Sequence, residues 1–110
     1  ATIGVAAPAN LAVCVIDNQH YGETGMQEAH TSHGVDLAGM AAAAGFAETA
    51  TVWTKKEIDG ALSLLYDAKG PVFVDIKVGT DPVPMILPMR DGTAIRARFR
   101  ESVLGKRAYD

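Results

Sequence analysis

Apolar and polar positions along the chain fall into three short runs of strand character, separated by stretches of helical period. Leu11-Ala-Val-Cys-Val-Ile16 is continuously apolar with β-branched residues at 13, 15 and 16. That pattern fits a strand buried on both faces, as parallel strands are. Glu48 to Trp53 alternates around Thr49, Thr51 and Val52 and predicts a second strand. Val72 to Val78 is the third, β-branched and apolar except at Asp75 and Lys77. Between the first two, Asp36 can cap a helix over Leu37 to Ala44, with Leu37, Met40, Ala41 and Ala44 on one stripe and Gly45 as its stop. Between the last two, Thr54-Lys-Lys-Glu57 has the form of a capping box. The helix it opens runs to about Ala68 and should bury Ile58, Ala61, Leu62 and Leu65. Gly70-Pro71 then breaks it.

The flanks are less regular. Ala1 to Ala7 is small and helix-compatible, and Pro8 ends it because the residue before proline leaves helical dihedrals. Glu28 to Gly34 is polar and without period, which reads as an active-site loop or a short irregular helix. After Gly79, Pro82, Pro84 and Pro88 mark an extended segment, and a last helix is expected from about Thr93 to Leu104. Strand, helix, strand, helix, strand implies right-handed crossovers and a parallel sheet. The predicted class is therefore α/β, three layers, with helices on both faces. Residues 1–80 form its core, and 81–110 carry the extended segment and terminal helix.

Composition narrows the function. At 110 residues and 48% hydrophobic content the chain is one domain's worth of ordinary globular sequence. A net charge of −3 argues against nucleic acid, which needs a basic face. Arg90, Arg96, Arg98, Arg100, Lys106 and Arg107 do crowd the last part. They suit a solvated helix face, or else an anion-facing lid or subunit contact. Cys14 is the sole cysteine, so no disulfide forms within the chain, and a buried structural thiol is expected. Nothing points to an oxidising compartment. There is no signal pattern and no apolar run of bilayer length, so a cytoplasmic setting without membrane contact is expected.

The candidate chemistry sits directly after the first strand, in Asp17-Asn-Gln-His-Tyr-Gly-Glu-Thr-Gly-Met-Gln27. Ligands of open α/β sheets bind at the carboxyl ends of strands. Gly22 and Gly25 let a ligand approach bare backbone, while Asn18, Tyr21 and Thr24 supply neutral oxygens. Such a loop suits a phosphate held through a hard metal ion. A turn that merely ends the strand is the plainer alternative. His30 and His33 follow in the polar stretch. Each can move protons or meet an anionic substrate near neutral pH, or can be a loop histidine without a chemical part.

Residues 10–27, Asn-Leu-Ala-Val-Cys-Val-Ile-Asp-Asn-Gln-His-Tyr-Gly-Glu-Thr-Gly-Met-Gln, resemble the second half of the thiamine-diphosphate motif. The likeness continues through Gly34-Val-Asp-Leu-Ala, Ala44-Gly-Phe and Gly70-Pro-Val-Phe-Val-Asp, and so covers most of the chain. Within that superfamily it is similar to the phosphonopyruvate and sulfopyruvate decarboxylases, whose loop reads Asp-Asn-x-x-Tyr-x-x-Thr-Gly-x-Gln. The resemblance implies the thiamine-diphosphate-binding fold, with thiamine diphosphate and Mg²⁺ as cofactors. It implies that Asn18 gives the metal a side-chain oxygen and His20 its main-chain carbonyl. Tyr21, Gly22, Thr24 and Gly25 would contact the diphosphate and flank the cofactor, and Asp17 would hold the loop by accepting amide hydrogen bonds. The implied reaction is decarboxylation of an anionic 3-substituted pyruvate, with the cofactor's thiazolium as electron sink.

In such relatives a glutamate from a separate pyrimidine-binding domain or subunit activates the cofactor, so a homo- or hetero-oligomer is expected. The family's Gly-Asp-Gly turn, whose aspartate is a metal ligand, is absent from the sequence. By spacing it should lie just upstream of Ala1. The chain is accordingly expected to be the C-terminal piece of a longer enzyme, missing the N-terminal part of the same domain and inactive alone. Two other readings stay open. The beta chains of 2-oxo acid:ferredoxin oxidoreductases carry a similar Tyr-Gly-x-Thr-Gly-x-Gln loop, and a non-catalytic interaction domain of the same fold would explain the absent turn.

Overall fold

A computed structural model describes residues 1–109. Helix α1 (Thr2–Ala6) leads to strand β1 (Ala12–Asp17), and a two-residue hairpin follows, β2 (His20–Tyr21) with β3 (Gln27–Glu28). Helix α2 (Leu37–Ala43), strand β4 (Glu48–Val52), helix α3 (Ile58–Asp67) and strand β5 (Val72–Lys77) complete the core. The main sheet is parallel in the order β1-β5-β4, so the last strand in sequence is the central one. Ala12 and Glu48 both stand opposite Val72, and Asp17 stands opposite Lys77.

Successive side chains on a strand point to opposite faces. One face carries Val52, Val72 and Val74, which with Ala61 of α3 form the buried core; Ile58, Leu64, Leu65 and Ile76 pack around it. Helix α2 packs on the other face, where Val13 and Phe73 line an open apolar cleft with Leu37, Met40 and Ala41 of α2, Ala44 at its end, and Phe46. Phe46 meets Phe73 edge to face with ring centroids 5.8 Å apart, a favoured aromatic geometry. Helices therefore cover both faces, and the three-layer α/β arrangement holds. Gly4 lets α1 cross the end of α2, since a Cβ there would overlap the Ala44 carbonyl.

Several details differ from the periodicity. Strand β1 is not buried on both faces: Ala12, Cys14 and Ile16 are exposed while Val13 and Val15 are half-buried. The reason is position, because β1 is an edge strand and the buried core that α3 completes lies over β5 and β4. Cys14 consequently is an exposed thiol, not a buried one. In α2 the buried residues are Ala38 and Ala41, whereas Met40 is exposed. In α3 Leu62 is exposed and Leu64 takes its place in the core. The capping box at Thr54 is present and opens a short 3-10 turn, Lys55–Glu57, before α3 begins.

Beyond Lys77 the chain runs without regular structure to helix α4 (Gly92–Leu104), capped by Asp91. Val83, Met85, Ile86 and Leu87 are exposed along this stretch. Helix α4 packs chiefly on the 3-10 turn after it, Gly105–Tyr109. The radius of gyration, 17.6 Å, exceeds the ~13 Å expected of a compact chain this long. No helix among the described residues is long and apolar enough to cross a membrane.

Candidate functional site

Two consecutive side chains at the carboxyl end of β1 fold the backbone over by the same device. Asp17 Oδ1 accepts the Gln19 N–H at 2.7 Å, and Asn18 Oδ1 accepts the His20 N–H at 3.0 Å. Each is an Asx turn, in which a short side chain replaces a backbone acceptor two residues on. Gln19 between them takes the left-handed conformation, φ 59°. The His20 ring locks the turn from the other side, with Nδ1 2.9 Å from the Asn18 carbonyl. A carbonyl only accepts, so Nδ1 carries the proton.

The loop beyond is a closed hairpin. His20 and Tyr21 pair with Glu28 and Gln27, and the Met26 N–H donates to the Tyr21 carbonyl at 3.0 Å. Gly25 sits at φ 121°, a region that favours glycine. Thr24 and Gln27 bind each other across this corner. The Thr24 hydroxyl has one proton, and the Gln27 Oε1 at 3.1 Å lies nearer than the Tyr21 carbonyl at 3.4 Å. Gln27 Nε2 in turn donates to the Thr24 carbonyl at 2.9 Å. The Thr-Gly-x-Gln spacing thus builds its own corner. Gly22 borders Asn18: a Cβ on it would lie 3.8 Å from the Asn18 amide nitrogen and 3.6 Å from Met26 Sδ. The bare backbone leaves room beside that amide.

Beneath the loop lies a buried ionic cluster that periodicity does not single out. Lys77 Nζ is 2.6 Å from Asp17 Oδ2 and 2.8 Å from Asp75 Oδ2, and the three side chains are 9%, 9% and 1% exposed. Asp17 Oδ1 also accepts the Thr31 hydroxyl at 2.9 Å, while Gln19 Nε2 donates to the Thr31 carbonyl at 2.8 Å. Burial pushes the Asp17 pKa upward, but the hydrogen bonds from Lys77, Gln19 and Thr31 outweigh it and hold the carboxyl below its usual range. For Lys77 burial acts to lower the pKa, and the bonds to Asp17 and Asp75 outweigh it, so the ammonium is held charged. Trp53 closes the cluster, its ring centroid 5.4 Å from Nζ, within cation–π range. Asp75 Oδ1 is buried without a hydrogen-bond partner among the described residues. A cleft of about 270 Å³ opens here, lined by Thr31, Asp36, Thr51, Trp53, Asp75 and Lys77.

The structure brings Asn18, His20 and Gly22 together in the turn and sets Thr24 and Gly25 at the hairpin's far corner. Tyr21 is half exposed. His33 Nε2 lies 3.2 Å from Glu28 Oε2, and the His30 carbonyl accepts the Gly34 and Val35 amides. Thr31, Asp75 and Lys77 are the residues that sequence reasoning missed. A readable signal existed: Asp75 and Lys77 are opposite charges two apart in an apolar strand, hence on one face.

Among the described residues no group of three His, Cys, Asp or Glu side chains is arranged to hold a metal. An ion here would need neutral oxygens such as the Asn18 amide and main-chain carbonyls, and these suit hard Mg²⁺. The open backbone at Gly22 and the amide beside it fit a phosphate-bearing cofactor. Residues 3–76 match the model of the thiamine pyrophosphate enzyme family, C-terminal TPP-binding domain. No curated protein and no solved structure matches the chain.

Proposed function

The chain belongs to the thiamine pyrophosphate enzymes through their C-terminal TPP-binding domain, and from that premise we propose that it supplies the diphosphate- and Mg²⁺-binding loop of a 2-oxo acid decarboxylase acting on an anionic 3-substituted pyruvate. The observation that carries this reading is the paired Asx turn at Asp17 and Asn18, which presents the Asn18 amide at the carboxyl end of β1. When bound, the cofactor supplies the electron sink for loss of carbon dioxide. The chain's own residues bind and orient. Asn18 Oδ1 and the His20 carbonyl hold the ion, the backbone at Gly22 and Gly25 admits the diphosphate, and Tyr21 and Thr24 flank it. Asp17 is spent on Gln19, Thr31 and Lys77, so it holds the loop and leaves the ion to its neighbours. His30 and His33 stand at the 3-10 turn beside the loop, where an imidazole can transfer a proton or meet the substrate's anionic end.

The absent Gly-Asp-Gly aspartate and the cofactor-activating glutamate come, in this reading, from the rest of a longer enzyme or from a partner subunit. Titration calorimetry of thiamine diphosphate in Mg²⁺, on the intact enzyme, tests the loop. Asn18→Ala should weaken affinity by about tenfold or more, the scale on which even an orienting partner of a metal ligand counts. Unaltered affinity would sink the ligand assignment. The reaction class is tested separately. Aldehyde released from 3-phosphono- or 3-sulfopyruvate supports the decarboxylase, whereas viologen reduction that needs coenzyme A supports the ferredoxin-linked oxidoreductase sharing the same loop.

A further inference from the structure

We propose that Lys77 is a positioning residue for the cofactor loop, acting through Asp17; the inference rests on the reading of that loop as the cofactor site. Lys77 ends the central strand, and its register partner across the sheet is Asp17, the last residue of β1. The ammonium has three protons. Two are taken by Asp17 Oδ2 and Asp75 Oδ2, and the Trp53 ring lies on a further side. A lysine so enclosed has little left for a ligand, and its effect passes through the carboxylate it holds.

That carboxylate is the root of the loop. With Oδ2 fixed on Lys77, Asp17 Oδ1 faces both the Gln19 N–H and the Thr31 hydroxyl. Gln19 then ties the segment that follows β3 twice more, through Nε2 to the Thr31 carbonyl and through its own carbonyl to the Ala29 N–H at 2.8 Å. Asn18 lies between two pinned residues, so the direction of its amide is set by a chain of contacts that starts at the lysine. Truncating one member of a buried ion pair leaves the other charge uncompensated. Here two charges are left, Asp75 and Asp17; Asp17 is the anchor of the loop, and it would turn toward water and release Gln19 and Thr31.

Lys77→Met in the intact enzyme tests this, because methionine keeps an unbranched apolar stem and removes the charge. The expected result is a thiamine diphosphate affinity in Mg²⁺ about 10- to 100-fold weaker, the range for partners that orient metal ligands. Hydrogen exchange should also quicken at the Gln19 and Ala29 amides, with the amides of β4 and β5 remaining protected. Val74→Ala is the control, since Val74 is fully buried in the same strand and outside the ionic cluster. It should lower stability and leave affinity within twofold of wild type. If Lys77→Met fails to fold, Thr31→Val removes one donor to Asp17 and should weaken affinity in the same direction by a smaller factor.

Wild-type affinity in Lys77→Met, with Asn18→Ala impaired, overturns the positioning role and leaves the loop assignment standing. Equal losses in Lys77→Met and Val74→Ala overturn it too, since general destabilisation then suffices. Should the wild type itself not bind, or Asn18→Ala bind normally, the loop assignment fails and the cofactor role of Lys77 falls with it. The exchange data would still report whether the lysine holds the loop.

Discussion

Gly70 and Gly60 offer the same chemical change with opposite expected signs. Gly70 lies where the chain enters β5 beside the entry to β1. An added Cβ would stand 2.5 Å from the Leu11 carbonyl oxygen, 3.1 Å from that of Pro8 and 3.2 Å from the Leu11 nitrogen. All three are backbone atoms, so no side chain can swing aside. Ordinary contact begins near 3.4 Å, so the two segments must part by about 0.9 Å. That movement breaks the hydrogen bonds from the Gly70 N–H to Ala9 at 2.8 Å and from the Val72 N–H to Leu11 at 3.0 Å. Two such bonds contribute ~1–3 kcal/mol, and overpacking a tight site adds ~1–3 kcal/mol. Gly70→Ala should therefore cost ~2–6 kcal/mol, a large share of the ~5–15 kcal/mol that a domain possesses. Gly60 is inside α3, and beyond its chain neighbours and the helix's own backbone no atom lies within 4 Å of its Cβ position. Gly60→Ala removes backbone freedom from the unfolded chain and should stabilise by ~0.5–1 kcal/mol. Urea unfolding, followed by circular dichroism with midpoint and slope fitted together, reads both. A Gly70→Ala midpoint at or above wild type would refute the argument, because the overlap that it counts would not exist.

Two more outcomes follow from side chains outside the loop. The Glu57 carboxylate accepts the Trp53 and Thr54 amides, both at 2.8 Å, and these bonds chiefly hold its pKa below the usual range. A depressed folded-state pKa gives stability that is present above the unfolded value and lost as pH falls through the folded one. In urea midpoints taken between about pH 3 and 7, Glu57→Gln should show a shallower acid-side decline than wild type, and parallel declines would disprove the link. Cys14 is exposed on the open face of β1, so a thiol reagent should modify it in the folded chain nearly as fast as in urea. Slow labelling that only denaturant relieves would mean this face is covered.

Strands and helices were legible because each is announced by its own residues. Val72 to Lys77 is β-branched and apolar wherever it faces the core, and the Thr54 capping box and the Asp36 cap form as their chemistry predicts. Which faces are covered was not legible, since burial depends on strand order, and order is a long-range property. Continuous apolar sequence in β1 promised two buried faces, yet its place at the edge leaves Ile16 63% exposed. The hairpin of β2 and β3 escaped notice because two-residue strands carry no period. Lys77 and Asp75 looked like interruptions for a related reason. Their meaning depends on Asp17, sixty residues away in sequence and opposite Lys77 in the sheet.

The loop and the ionic cluster together divide the electrostatic work. A divalent ion held by an amide oxygen and a main-chain carbonyl gains no charge neutralisation from either, so negative charge must come from its other ligands. The nearest carboxylate in sequence, Asp17, already accepts from Gln19, Thr31 and Lys77. Recruiting it to the ion would strip Lys77 of a partner and undo the turn that presents Asn18. On the proposed reading the chain would give geometry and withhold charge, which would leave the charge to the diphosphate and to other ligands of the ion. Ion affinity should therefore depend steeply on the diphosphate: Mg²⁺ alone binds weakly, and thiamine, which lacks the phosphates, does not strengthen it. Calorimetry that found Mg²⁺ bound equally well without the diphosphate would mean that a carboxylate of this chain serves the ion after all.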